Sequence, residues 1–163
     1  MADFAFINTT PIVHGSNEDV ESLIRGTLAS SRTPWRVVVG HHPVISSGWH
    51  GYFPRDEVGV MRGLIPTLLG TNVDFYICGH NHHVELIRGR MLHLISGAGS
   101  APVPPVKLRT TTVFPKEITS RAPIGFAVVE ITARRIRVRM YDAEGRLRSG
   151  WISGRVRHQL RSH

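Results

Sequence analysis

Two buried-strand patterns, each followed by a glycine and several histidines, constrain the fold of this chain more than any other feature. Residues 35–39 (WRVVV) and 73–78 (VDFYIC) are short and largely apolar, as in the strands of a buried parallel sheet. The first runs into residues 40–43 (GHHP), and the second runs into residues 79–83 (GHNHH). Loops that follow core strands are where α/β proteins collect functional groups, so both loops are candidates for a site.

The segments around these strands complete an alternation of strands and helices. Residues 3–8 (DFAFIN) predict a strand, and apolar residues at helical spacing predict helices over residues 17–30 and 58–69. Gly63 and Pro66 weaken the second helix. The order of strand, helix, strand, helix and strand predicts an α/β fold.

The pattern changes to hairpins beyond residue 83, which predicts an antiparallel C-terminal section. The expected strands are residues 84–87, 91–96, 124–131, 136–141 and 147–152. Residues 97–122 are rich in glycine and proline and predict a long functional or mobile loop. We therefore expect one domain portion over residues 1–152 and a frayed basic tail over residues 153–163.

The histidines are clustered, because six of the ten fall in or beside the two loops that follow the core strands. These are His41, His42, His50, His80, His82 and His83. Imidazole is a common ligand for zinc- and iron-class ions. Alternate residues at a strand end project to one side, so His80 and His82 are expected to reach the same volume. Gly40 and Gly79 are expected to let the backbone turn beside a ligand. Two such loops at adjacent strand ends favour a metal site over unrelated surface histidines.

The two loops also carry a resemblance to a known family. Residues 37–44 (VVVGHHPV) and 76–82 (YICGHNH) resemble the last two signature blocks of calcineurin-like metallophosphoesterases, GHxP and GHxH. Within that superfamily the chain looks most like the small purple acid phosphatases of the tartrate-resistant group. The supporting features are His50 before a glycine, residues 94–99 (LISGAG) and residues 125–131 (GFAVVEI).

The resemblance implies a fold, an activity and a set of site residues. The fold would be part of a β-sandwich flanked by helices, and the activity would be hydrolysis of phosphomonoesters by a dinuclear centre of iron with iron, zinc or manganese. His41 and His80 would bind one metal and His82 the other, while His50 would contact the phosphate and protonate the leaving group. By the same resemblance, His42 and His83 would lie behind the ligands or on the surface.

The chain departs from the family in lacking its first three signature blocks, DxH, GDxxY and GNHE. Those blocks supply the bridging aspartate and other ligands, so we interpret the chain as the C-terminal half of a longer phosphatase. Its expected partners are a phosphate-ester substrate and the missing N-terminal half of the domain. As a half-sandwich, it should leave the edge of the first strand or its neighbours unpaired and one sheet face uncovered.

Two alternative functions stay open on the sequence alone. The missing carboxylates favour a non-catalytic fragment or pseudo-phosphatase that acts as a binding module. The shared GHxP and GHxH loops also fit a phosphodiesterase or nucleotidase of the same superfamily, although the position of His50 argues against it.

Charge and hydropathy exclude several other functional classes. The formal charge of +8 is concentrated in residues 101–163, where strand-like arginines lack interleaved aromatic residues. We expect a solvated strand face there and no nucleic-acid partner. No apolar stretch reaches the roughly 20 residues that span a bilayer. The start MADFAFINTTP does not look like a secretory signal, and the compartment stays open.

Overall fold

The structure is a computed structural model that describes residues 1–51, 57–106, 112–113 and 124–154. It contains a six-stranded sheet and a three-stranded sheet, with short helices against the larger one. Most of the predicted tail, residues 155–163, and much of the predicted long loop lie outside the described residues.

The larger sheet is mixed, with the strand order β1-β2-β3-β5-β4-β6. The pairs β1–β2, β2–β3 and β3–β5 are parallel, and β4 pairs antiparallel with β5 and β6. The strands are β1 (Ala2–Phe6), β2 (Trp35–Val39), β3 (Phe75–Cys78), β4 (Val84–Ile87), β5 (Leu92–Ser96) and β6 (Thr112–Val113). This arrangement makes β2 and β3, the strands that precede the two histidine loops, direct neighbours.

The smaller sheet is antiparallel, as the hairpin pattern predicts. It consists of β7 (Gly125–Ile131), β8 (Arg135–Asp142) and β9 (Leu147–Gly154) in that order. The arginines of this sheet are paired, since Arg137 and Arg139 contact Glu130 while Arg146 and Arg148 contact Asp142.

Short helices pack on one face of the larger sheet. They are α1 (Thr10–Val13), α2 (Glu18–Leu28), α3 (Glu57–Met61) and α4 (Ile65–Gly70), with 3-10 turns at Trp49–Gly51 and Arg62–Leu64. The predicted helix over residues 58–69 is thus broken by a 3-10 turn, and Pro66 lies near the start of α4, where its missing N–H is not needed. Among the described residues, no helix has the length and apolar character to span a membrane.

The central strands of the larger sheet are buried on both faces, which explains why they read as continuous apolar runs. Val38 and Tyr76 pack on the helix side, whereas their neighbours Val37 and Phe75 pack against the smaller sheet. Residues Ile136, Val138 and Met140 of β8 supply the facing side. The α/β fold with an antiparallel C-terminal section is therefore confirmed.

Strand β1 presents part of the uncovered face expected of a half-sandwich. Phe4 and Phe6 stack on each other on the face that the smaller sheet covers elsewhere, and their exposed fractions are 43% and 70%. Within the described residues β1 pairs only with β2, so its other edge is free. Phe126 and Val128 of β7 and Ile152 of β9 are also exposed, so both sheets present apolar residues, and the association expected of a half-sandwich stays a prediction.

Candidate metal centre

The two histidine loops meet at the carboxyl edge of β2 and β3. The backbone N–H of Gly40 donates to the carbonyl of Ile77 at 3.0 Å, and the N–H of Gly79 donates to the carbonyl of His41 at 3.1 Å. These bonds continue the strand pairing into the loops, so the first histidine of each loop lies beside the other.

The two glycines that precede the histidines have different roles. A Cβ on Gly40 would lie 2.7 Å from the Tyr76 hydroxyl and 2.8 Å from a methyl carbon of Thr9, so only glycine fits there. A Cβ on Gly79 would meet open space. In the second loop the left-handed residue is His80 itself, with φ of 66°, an uncommon conformation for a non-glycine residue.

His41 and His80 approach each other closely at a cleft that both residues line. Nε2 of His41 lies 3.3 Å from Nδ1 of His80. Two ligands of one tetrahedral ion, at bond lengths of about 2.0–2.1 Å, are separated by about 3.3 Å. The pair therefore has the spacing of one edge of a tetrahedral site.

Glu57, which sequence reasoning missed, contacts the other nitrogen of His80. Its Oε2 lies 2.6 Å from Nε2 of His80, and both atoms are buried without an aligned hydrogen bond to the described residues. Burial lowers the pKa of His80, and the Glu57 carboxylate opposes that shift. The only signal in the sequence is an acidic residue at the start of a predicted helix, which does not reveal where the preceding loop carries it.

His42 lies in one cluster with His41 and His80. Its variable position in the family motif had instead predicted a place behind the ligands or on the surface. Its side chain is buried, and its ring centroid lies 4.8 Å from that of His41 and 4.5 Å from that of His80. One nitrogen from each of the three rings lies within 4.8 Å of the others. Burial, with the nearby His80 and His41, lowers the pKa of His42 to about 4. The ring is therefore neutral at neutral pH, as a metal ligand must be.

His50 faces the same cluster from the 3-10 turn Trp49–Gly51. Its ring centroid lies 4.5 Å from that of His80, and its Nδ1 lies 3.6 Å from Oε2 of Glu57. Its side chain is 46% exposed, so it remains open to a substrate.

His82 lies at the rim of the site. It is exposed, and its Nδ1 contacts the carbonyl of Ala101 at 3.1 Å. It lines a cleft of about 550 Å³ together with His41, His50 and His80. Among the described residues, however, it is outside the groups of atoms close enough to share one ion, so its ligand role stays a prediction.

A buried carboxylate holds the two histidine loops together from below. Glu85 on β4 accepts hydrogen bonds from the N–H and hydroxyl of Ser47 at 3.0 and 2.6 Å, and it pairs with Nε2 of His83 at 2.9 Å. Burial raises the pKa of Glu85, but the bonds and charge of His83 and the bonds of Ser47 outweigh it, so the pKa lies below its usual value. His83 is thus buried rather than exposed, and it serves the scaffold.

The donor set fits a metal ion of the zinc and iron class. Among the described residues, one group of side chains close enough to share an ion is His41, His42 and His80, and the other is His50, Glu57 and His80. Imidazole is a favoured donor for such ions, and Glu57 is the only carboxylate in these two groups. Glu57 Oε2 and His80 Nε2 are both buried and lie next to each other. A carboxylate in this position is typical of metal sites, where it orients a ligating histidine.

Comparison with known proteins points to one family. No family model matches the chain. Purple acid phosphatase 17 of Arabidopsis thaliana is 28% identical in an alignment 183 residues long, gaps included. The alignment covers 95% of this chain and 52% of the relative. The chain thus spans about half the length of this relative.

Two solved structures share the fold. GAP50, the anchor in the inner membrane complex of Plasmodium, superposes with a TM-score of 0.72 at 26% identity, covering 94% of this chain and 49% of that one. A purple acid phosphatase from yellow lupin seeds gives a TM-score of 0.70 at 17% identity, covering 94% of this chain and 31% of that one. The resemblance to the purple acid phosphatase type is confirmed.

Proposed function

We propose that this chain, a metallophosphoesterase of the purple acid phosphatase type, supplies the C-terminal histidines of a dinuclear centre that hydrolyses phosphomonoesters. The observation that carries the proposal is the 3.3 Å approach of His41 Nε2 to His80 Nδ1 in an open cleft at adjacent strand ends. Because the matched relative is about twice as long, the activity belongs to the intact parent protein.

The ligands divide between two ions. His41 and His80 hold one ion, which their spacing supports, and His82 reaches the other from the rim of the same cleft. Iron paired with iron, zinc or manganese fits imidazole donors of this kind. When bound, such ions withdraw charge from the phosphate ester and lower the pKa of water. The remaining ligands come from the N-terminal half of the domain.

His50 is the proton donor in this proposal. Its exposed ring borders the cleft, and Glu57 lies 3.6 Å from its Nδ1, which favours a proton on that nitrogen and orients the ring. An imidazolium in this position binds the phosphate by charge and donates a proton to the departing alkoxide. His80 separates His50 from His41, so proton donation and metal binding fall to different residues.

The test is a chromogenic phosphomonoester assay on the intact parent, with metal content measured in parallel. His50→Ala should lower kcat by about 10²- to 10⁴-fold and leave the metal content unchanged. Glu144→Ala, in the exposed turn between β8 and β9, is the matched control and should retain full activity. Unchanged turnover in His50→Ala, or loss of one equivalent of metal, would contradict the assigned role.

A second function, a non-catalytic binding module, is favoured by the similarity to GAP50. That protein is an anchor in a membrane complex, and its fold covers 94% of this chain. A parent protein that binds metal but hydrolyses neither a phosphomonoester nor a phosphodiester would favour this function. Preference for the diester would instead favour a phosphodiesterase of the same superfamily.

A further inference from the structure

The ring of His42 is buried beside His41 and His80. Neither the family motif nor the ligand assignment proposed above gives this ring a role. We propose that His42 joins His41 and His80 as the third ligand of a metal site that this chain forms on its own. The inference rests on the proposed function, because it concerns the ion held by His41 and His80. Its test, however, is metal binding and does not depend on turnover.

The geometry of the three rings supports a shared ion. His41 and His80 already have the spacing of two ligands on one tetrahedral ion. All three ligand nitrogens lie within 4.8 Å of one another, which is close enough for the three rings to share one ion. The backbone of His42 is held in place by the Tyr76 hydroxyl, which donates to its carbonyl at 2.8 Å.

Two residues hold the rings in the orientation that ligation requires. Oγ1 of Thr9 lies 2.7 Å from Nδ1 of His42, and it also accepts the His42 backbone N–H at 3.1 Å. With Nδ1–H donating to this oxygen, the lone pair on Nε2 is free for a metal. Such polar partners behind ligating histidines are the rule in metal sites.

Glu57 has the same orienting role for His80 and is not itself a ligand of this ion. Its Oε2 lies 2.6 Å from His80 Nε2, whereas two ligands of one tetrahedral ion stand about 3.3 Å apart. It also faces the nitrogen opposite to the one that approaches His41. With the proton of His80 on Nε2, toward Glu57, Nδ1 is left free for the metal.

The chemistry of the donors identifies the class of ion. Three neutral imidazoles with an open fourth position suit Zn²⁺ or Co²⁺, whereas Mg²⁺ and Ca²⁺ prefer oxygen ligands. Because the three histidines lie within residues 41–80, this site does not require the signature blocks that are absent from the sequence.

The experiment is a titration of the full chain with Co²⁺, followed by visible absorption, with Zn²⁺ as competitor. We expect one ion per chain and the intense bands of a four-coordinate Co²⁺ site. His42→Gln should weaken Co²⁺ binding by more than about 100-fold. Thr9→Val, which only removes the orienting hydroxyl, should weaken it by about 10- to 100-fold. His14→Ala, an exposed histidine outside the groups of atoms that could share an ion, is the matched control and should bind Co²⁺ as the unaltered chain does.

The outcomes separate this inference from the proposed function. Retention of the unaltered affinity in both His42→Gln and Thr9→Val would overturn it, as would loss of the ion in His14→Ala. Far-UV circular dichroism shows whether His42→Gln is folded, and the milder Thr9→Val tests the same site if it is not. Absence of phosphatase activity in the intact parent would defeat the proposed function while leaving the Co²⁺ result intact.

Discussion

Glu85 is the side chain whose loss should most disturb the scaffold under the histidine loops. Glu85→Ala removes the acceptor for two Ser47 hydrogen bonds and the partner of His83, all of which are buried. Breaking a buried pair from one side leaves the other group unsatisfied and typically costs about 3–5 kcal/mol. Since Glu85 is 0% exposed, water cannot replace the lost contacts. We therefore expect the free energy of unfolding to fall by about 3–5 kcal/mol.

Urea unfolding of the chain, followed by far-UV circular dichroism, measures this change. Glu144→Ala is the matched control, because its carboxylate is exposed and its contact with Arg146 is worth at most about 1 kcal/mol. Glu85→Gln keeps an acceptor for Ser47 and should fall between the two variants. If Glu85→Ala unfolds within about 1 kcal/mol of Glu144→Ala, the buried network does not hold the loops, and the reasoning fails.

Three further predictions follow from the described residues. Burial lowers the pKa of His93 from 6.5 to about 4, so the unfolded chain binds more protons between these values. Stability should therefore fall by up to about 3 kcal/mol as the pH decreases from 6.5 to 4. In urea unfolding, the free energy of unfolding of His93→Gln should depend less steeply on pH than that of the unaltered chain. An equal dependence would show that His93 is not the source of the pH effect. Gly97→Ala should destabilise the chain markedly in a thermal melt, because the added Cβ would overlap the Asn81 carbonyl, while Gly99→Ala, which meets open space, serves as control. The isolated chain should be oligomeric or poorly soluble, because apolar residues such as Phe4 and Phe6 are exposed. It should also show no phosphatase activity. Turnover by the isolated chain that disappears in His82→Ala would contradict this second expectation.

The fold was largely predictable because its strands are buried on both faces. Continuous apolar runs such as Trp35–Val39 leave few alternatives to a central strand. Convergence of His41 with His80 then follows from the adjacency of β2 and β3. The break in the predicted helix was not located, although Gly63 and Pro66 indicated its weakness.

The details of the site depended on contacts that single loops do not encode. His42 is drawn inward by Thr9 and Tyr76, which come from two other segments of the chain. Alternation along an extended strand predicted that His80 and His82 reach the same volume, and both do line one cleft. His80 nevertheless adopts a left-handed conformation, and among the described residues His82 lies outside the groups of atoms close enough to share one ion.

Anomalous diffraction from crystals of the chain grown with Zn²⁺ tests the central claim most directly. We expect an ion bound to both His41 Nε2 and His80 Nδ1 at about 2.0–2.1 Å from each. A zinc ion bound elsewhere on the chain, with His41 and His80 free of metal, would contradict the claim.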